Sequence, residues 1–165
     1  MRLADIPTPA LVLDRARLRR NIQAMTERYK KLGVRLRPHL KTSKSVDVAR
    51  MAVSGHFGGI TVSTLKEAEH FAAHGFKDIL YAVCIAPGKL DQAAALTKSG
   101  VHLTIITDDL EAAKSIAARG KELGVTFNVL VEVDCGEKRS GVPVESDALL
   151  AIAGALHAGP GSRLA

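Results

Sequence analysis

The stretch GFKDILYAVCIAPGKLDQAAALTKSGVHLTIIT, residues 75–107, contains one full cycle of the rhythm that decides the fold. Gly75 closes one helix-like stretch and Gly100 closes the next. After each glycine comes a strand candidate, Ile79–Val83 and then Leu103–Thr107. The run Ile79-Leu80-Tyr81-Ala82-Val83 has no polar side, so it predicts a strand buried on both faces, as in a parallel sheet covered by helices.

The same cycle extends in both directions. Gly33, Gly55 and Gly124 also end helix-like stretches, where a C-cap favours a residue that tolerates positive φ. The strand candidates that follow them are Val34–Leu40, Ile60–Ser63 and Phe127–Val133. Leu65, Ala68 and Phe71, and likewise Leu110, Ala113 and Ile116, recur at helical spacing between strands. Ahead of them, Leu18, Ile22, Met25, Tyr29 and Leu32 predict a helix over about Asp14–Leu32. Strands that alternate with helices every 20–25 residues or so imply a parallel α/β fold.

Two architectures share this rhythm, an open doubly wound sheet and a closed (β/α) barrel of the TIM type. A dinucleotide-binding sheet would carry a glycine-rich fingerprint after its first strand, and Arg37-Pro38-His39-Leu40-Lys41 stands there instead. The barrel is therefore expected. Counted from Val34, there are five strands and the start of a sixth at Ser162-Arg163-Leu164-Ala165. A whole barrel takes about 250 residues and eight strands, so an incomplete barrel is expected over residues 15–165. Pro9–Asp14, within a lead-in of residues 1–14, is expected as an extra strand outside it.

Composition narrows the function classes. With 47% hydrophobic and 24% charged residues the chain suits a globular domain, not a disordered one. No apolar run approaches the roughly 20 residues that span a bilayer, and Met1–Pro9 has no apolar signal core, so a cytoplasmic protein is expected. Cys84 and Cys135 are far apart and lack ligand-spaced neighbours, which predicts free thiols and no structural zinc. The net charge of +6 is concentrated on the first helix (Arg15, Arg17, Arg19, Arg20, Arg28, Lys30 and Lys31), as its solvated face. Aromatics are only 4% and tryptophan is absent, so stacking platforms for nucleic acid are lacking and no such partner is expected.

Barrel enzymes place their chemistry at the C-terminal ends of strands, and Arg37-Pro38-His39-Leu40-Lys41-Thr42-Ser43-Lys44 ends the first one. A lysine there, partly desolvated and beside the cation of Arg37, would favour the neutral amine that attacks an aldehyde. The alternative is that Lys41 and Lys44 are surface lysines opening the next helix. His39 lies two residues before Lys41, on the same side of an extended segment. It either helps position a bound group and relay a proton or is a hydrogen-bonded histidine of the barrel mouth.

Four separated segments, in order along the whole chain, carry a family resemblance. They are Thr8–Asp14 (TPALVLD), Leu36–Thr42 (LRPHLKT), Ile60–Glu69 (ITVSTLKEAE) and Val133–Val142 (VDCGEKRSGV). Together they resemble the D-threonine aldolase and D-serine dehydratase family, of the alanine-racemase-like fold type of pyridoxal phosphate enzymes. The resemblance implies that Lys41 carries the cofactor as a Schiff base and that Arg139 reaches the cofactor's phenolic oxygen. Arginine suits that place because it stays charged at any working pH. A structural salt bridge is the alternative for Arg139, and Asp134 is expected to do no more than orient it. The implied activity is lysis of D-3-hydroxy amino acids, D-threonine aldolase-like. A D-serine dehydratase-type reaction, a racemase, and a non-catalytic cofactor carrier or inactive fragment follow as alternatives. The implied partners are a small D-amino acid and, in the full-length parent, a second copy as a homodimer. The divalent-metal ligands and the C-terminal β domain of the family are expected beyond this chain.

Overall fold

The computed structural model describes residues 2–165, which divide into two compact units, one up to Leu36 and one from Arg37 to Ala165. In the first unit, residues 9–14 form no strand, so the expected extra strand is absent there. Helix α1 follows at Arg15–Lys31, within a residue of the predicted bounds at each end. Asp14 caps it, its Oδ1 accepting the Arg17 N–H at 2.9 Å. None of the α1 residues is fully buried, and Leu18, Ile22 and Tyr29 are half-buried.

The second unit is a five-stranded parallel sheet: β1 Ile60–Val62, β2 Asp78–Cys84, β3 His102–Thr107, β4 Phe127–Val131 and β5 Ser162–Leu164. Helices α2 Val46–Val53, α3 Leu65–Ala73, α4 Leu90–Lys98, α5 Leu110–Leu123 and α6 Asp147–Ala158 complete it. The strand order is β1-β2-β3-β4-β5 without reversal. With right-handed crossovers a sequential order puts every helix on the same face, which is barrel winding; a doubly wound sheet would reverse direction. The barrel expectation is met, as an open arc.

Local sequence sets the helix starts. Side chains of Ser45, Thr64, Asp109 and Ser146 each accept the N–H three residues on, capping α2, α3, α5 and α6. The five punctuating glycines all take positive φ. One helical glycine has a different purpose. A Cβ on Gly120 of α5 would stand 2.1 Å from the Gly161 carbonyl oxygen, so only glycine lets the turn before β5 lie against that helix.

Two further segments depart from expectation. Val34–Leu40 is not a strand; it contributes a single parallel bridge between His39 and Thr61. Leu40 N–H donates to the Thr61 carbonyl and Thr61 N–H to the Pro38 carbonyl, both at 2.9 Å. Pro38 has no N–H to extend the ladder, which limits this edge to a bridge. The strand predicted to start at Phe127 likewise stops at Val131, and Val133 forms a separate bridge to Val142.

The core lies between sheet and helices. Ile60, Val62, Ile79, Tyr81, Leu103, Ile105, Phe127 and Val129 point toward it, packed with Phe71, Leu90, Ile116, Ile152 and Leu156. Residues one step out of phase (Thr61, Leu80, Thr104, Asn128) line the opposite, inner face. Along that face the chain leads to the C-terminal rim, where the predicted site residues lie.

Candidate active site

His39 and Lys41 stand together at this rim. His39 Nδ1 accepts the Lys41 backbone N–H at 3.3 Å, and Nε2 lies 3.4 Å from Ser63 Oγ at the end of β1. With Nδ1 accepting, the ring proton belongs on Nε2, from which it is donated to Ser63. Desolvation, and then the positive charge of Lys41, lower the His39 pKa below the usual imidazole value, which agrees with a neutral ring. The imidazole therefore fixes the backbone beside Lys41.

Lys44 is held differently. Its ammonium lies 3.1 Å from Glu67 Oε1, while Glu67 Oε2 accepts the Ser63 N–H at 2.8 Å. Burial alone would raise the Glu67 pKa, but the Ser63 N–H and the Lys44 ammonium outweigh it and hold the carboxylate below its ordinary range. Lys44 has a positive φ of 46°. Its amine neutralises a buried carboxylate, whereas that of Lys41 has no hydrogen-bond or ion-pair partner among the described residues. Of the two lysines in the motif, Lys41 is the one with an available amine.

Arg37 does not play its expected part. Its guanidinium lies 2.9 Å from Asp78 Oδ1 and donates to the Ile60 carbonyl at 3.2 Å. Ile60 and Asp78 begin their strands, so Arg37 ties the opposite, N-terminal rim together. Four residue steps of extended chain separate it from Lys41, roughly 13 Å. It therefore supplies no neighbouring cation to that amine.

Arg139 lies on the loop after β4, exposed and without a hydrogen bond or ion pair among the described residues. The structural salt bridge weighed for it is absent. Asp134 does not orient Arg139; its Oδ1 instead accepts the N–H groups of Gly136 (2.8 Å) and Lys138 (3.1 Å), folding the loop. Lys41 and Arg139 are both on the C-terminal rim, Lys41 beside β1 and Arg139 in the loop after β4.

Between them is a group that sequence reasoning missed. Cys84, Asp108 and Glu132 end β2 or directly follow β3 and β4, and their ligand atoms lie within 4.8 Å of one another. They recur at intervals of 24 residues, one per strand-helix unit, and that regularity was the available signal. The register of β2 shifts between Tyr81 and Cys84, so that Cys84 pairs with Ile106. Cys84 Sγ donates to Glu132 Oε2 at 2.9 Å. Burial, then the hydrogen bonds to Glu132 and Asp108, push the thiol pKa far above its usual range. The Asp108 carboxyl is held low by the thiol and by the Gly141 N–H. Each of the three side chains offers one ligand atom, and in this structure the thiol joins them by its hydrogen bonds to the two carboxylates.

Both cysteines are free, as expected. Their reactivities should differ. On brief treatment with iodoacetamide at pH 8, Cys135, which is exposed, should be alkylated at least about tenfold faster than Cys84. Mass spectrometry of the peptides checks this, and equal rates would contradict the thiol assignment. No helix among the described residues is long and apolar enough to cross a membrane.

Comparison with known proteins agrees with the geometry. Residues 13–165 match the model of the alanine racemase N-terminal domain. The D-threo-3-hydroxyaspartate dehydratase of Delftia sp. (strain HT23) is 51% identical over 98% of this chain and 43% of its own length. The solved structure of that dehydratase superposes with a TM-score of 0.93, covering 97% of this chain and 42% of the other. The 3-hydroxy-D-aspartate aldolase of Paracoccus denitrificans is 38% identical over 95% of this chain and 41% of its own length. The structure of D-threonine aldolase from Filomicrobium marinum, 31% identical, gives 0.89 over 99% of this chain and 44% of the other. The chain thus spans about two-fifths of the length of the curated relatives it matches. On the match over residues 13–165, the chain belongs to the alanine racemase N-terminal domain family.

Proposed function

We propose that the full-length protein containing these residues is a pyridoxal phosphate-dependent lyase of D-3-hydroxy amino acids. Two uncompensated cations, Lys41 and Arg139, on the C-terminal rim of a barrel-wound sheet carry this reading. They fit a cofactor that brings an aldehyde and anionic oxygens: the Lys41 amine is unpaired and the Arg139 guanidinium is unspent, while Lys44 and Arg37 are committed elsewhere. When bound, pyridoxal phosphate supplies an electron-poor ring that takes up the electrons of the bond broken at the substrate Cα.

The chain's own residues then have distinct tasks. Lys41 Nζ holds the cofactor covalently and is the base for the Cα proton when that proton is removed. Arg139 directs a fixed positive charge at an anionic oxygen. His39 stays neutral, keeps its proton on Nε2 and holds the Lys41 backbone in place. The remaining barrel strands, a C-terminal β domain and the divalent-metal ligands belong to the rest of the full-length protein. The family resemblance supports that placement and a homodimer, and the missing signal core of Met1–Pro9 supports a cytoplasmic location.

Sequence alone favoured retro-aldol cleavage. The 51% identity to a dehydratase favours net loss of ammonia from a 3-hydroxyaspartate, so that is the first reading, and cleavage at Cα–Cβ is the second. Incubation of the loaded full-length protein with D-threo-3-hydroxyaspartate separates them. Ammonia and a 2-oxo acid in equal amounts are expected. Glycine with glyoxylate would mean the aldolase, and the L-erythro diastereomer, inverted at Cα alone, a racemase. If none of these forms, from this substrate or from D-threonine and D-serine, the lyase proposal is wrong.

A further inference from the structure

The stretch of loop that follows Arg139 is held by two side chains at strand ends. Asp108 Oδ2, just beyond β3, accepts the Gly141 N–H at 2.9 Å. Glu132 Oε1, just beyond β4, accepts the Ser140 hydroxyl at 2.9 Å, and its Oε2 is occupied by the Cys84 thiol. Backbone bonds close the base of the loop: Val142 N–H to the Glu132 carbonyl at 3.0 Å and Asp134 N–H to the Val142 carbonyl at 2.9 Å. Gly141 has φ 88°, and a Cβ there would lie 2.6 Å from the Asp134 nitrogen, so no other residue lets the two arms approach so closely. Lys138 also takes a positive φ of 51°. Within the loop, Asp134 holds Gly136 and Lys138, ahead of the unpartnered Arg139, so the stretch that follows Arg139 depends on Asp108 and Glu132.

We infer that Asp108 and Glu132 are positioning residues: they anchor the two residues that follow Arg139 and thereby fix where its guanidinium stands on the rim. This rests on the proposed role of Arg139 at the cofactor. Cys84 belongs to the same device, because its donated hydrogen occupies Glu132 Oε2 and leaves Oε1 for Ser140. Neither carboxylate needs to touch cofactor or substrate. Anchors on consecutive strand ends lend an exposed arginine the stiffness of the sheet.

A double-mutant cycle in the full-length protein tests this, with the dissociation constant for pyridoxal phosphate read from titration of the apo form. Arg139→Met should weaken binding about tenfold, the effect of losing one charge-assisted bond. Asp108→Ala and Glu132→Ala should each approach that value, and Glu132→Gln, which keeps an acceptor for Ser140, should recover most of it. In the Arg139→Met background the same replacements should change binding by less than about twofold, since the group they position is gone. If Glu132→Ala fails to fold, Ser140→Ala serves in its place, because it removes the bond from the exposed loop side only. Singles without effect, or effects that add fully to that of Arg139→Met, would overturn the positioning role while leaving Arg139 at the cofactor. Unchanged affinity in Arg139→Met would overturn the role of Arg139 itself, and the positioning role with it.

Discussion

Replacing Lys41 with alanine in the full-length, cofactor-loaded protein should lower turnover by about a hundred- to ten-thousandfold, the range for losing a positioned acid or base. Lys44→Ala should leave most of the turnover intact. The contrast follows from pairing. The Lys44 ammonium is 3.1 Å from Glu67 Oε1, and losing that half-exposed pair costs stability on the order of 1 kcal/mol or less. Lys41 has no such partner, and its backbone is fixed by His39 on the end of an extended segment bridged to β1. Borohydride reduction followed by peptide mapping gives an independent reading: the pyridoxyl group should be found on Lys41. An adduct on Lys44, or full turnover in Lys41→Ala, would remove Lys41 from the site.

That contrast also shows where sequence reading stopped. The motif placed both lysines at the rim but could not say which was free, because the deciding partner, Glu67, is more than 20 residues away on α3. Arg37 was misread for the same reason. Its spacing from Lys41 suggested a neighbouring cation, whereas its partner Asp78 opens β2, on the N-terminal rim. The winding of the sheet was legible, since periodicity and punctuating glycines are local signals that repeat with every unit. The Val34–Leu40 strand was overread because an apolar extended segment looks the same whether or not its N–H groups find a ladder, and Pro38 removes one of them. The Cys84, Asp108 and Glu132 group is assembled only by parallel registration of β2, β3 and β4. Its 24-residue interval can be read in the sequence but has no meaning until the strands are aligned.

Residues 1–165 expressed alone should self-associate or remain loosely packed, and should show no lyase turnover. The outer face of the sheet is well filled: Ile79, Tyr81, Ile105 and Val129 are wholly buried beneath the helices. The inner face is not. Leu80, Ala82, Thr104 and Leu130 remain half-buried, and Leu164 of β5 is 38% exposed. Parallel sheets are stable when both faces are covered, and a barrel interior is filled by side chains from all its strands. Beyond β5 the open edge also presents unpaired N–H and carbonyl groups, a template for pairing with another chain. Each apolar side chain left on the inner wall forgoes about 1.5–3 kcal/mol of burial, against a total domain stability of about 5–15 kcal/mol. Sedimentation at several concentrations and a thermal melt followed by circular dichroism would measure this. Concentration-dependent association or a broad, non-cooperative melt is expected. A monodisperse monomer with a sharp melt would show that helix-side packing alone sustains the arc, and turnover of D-threo-3-hydroxyaspartate by that monomer would show that Lys41 and Arg139 need nothing from the rest of the barrel.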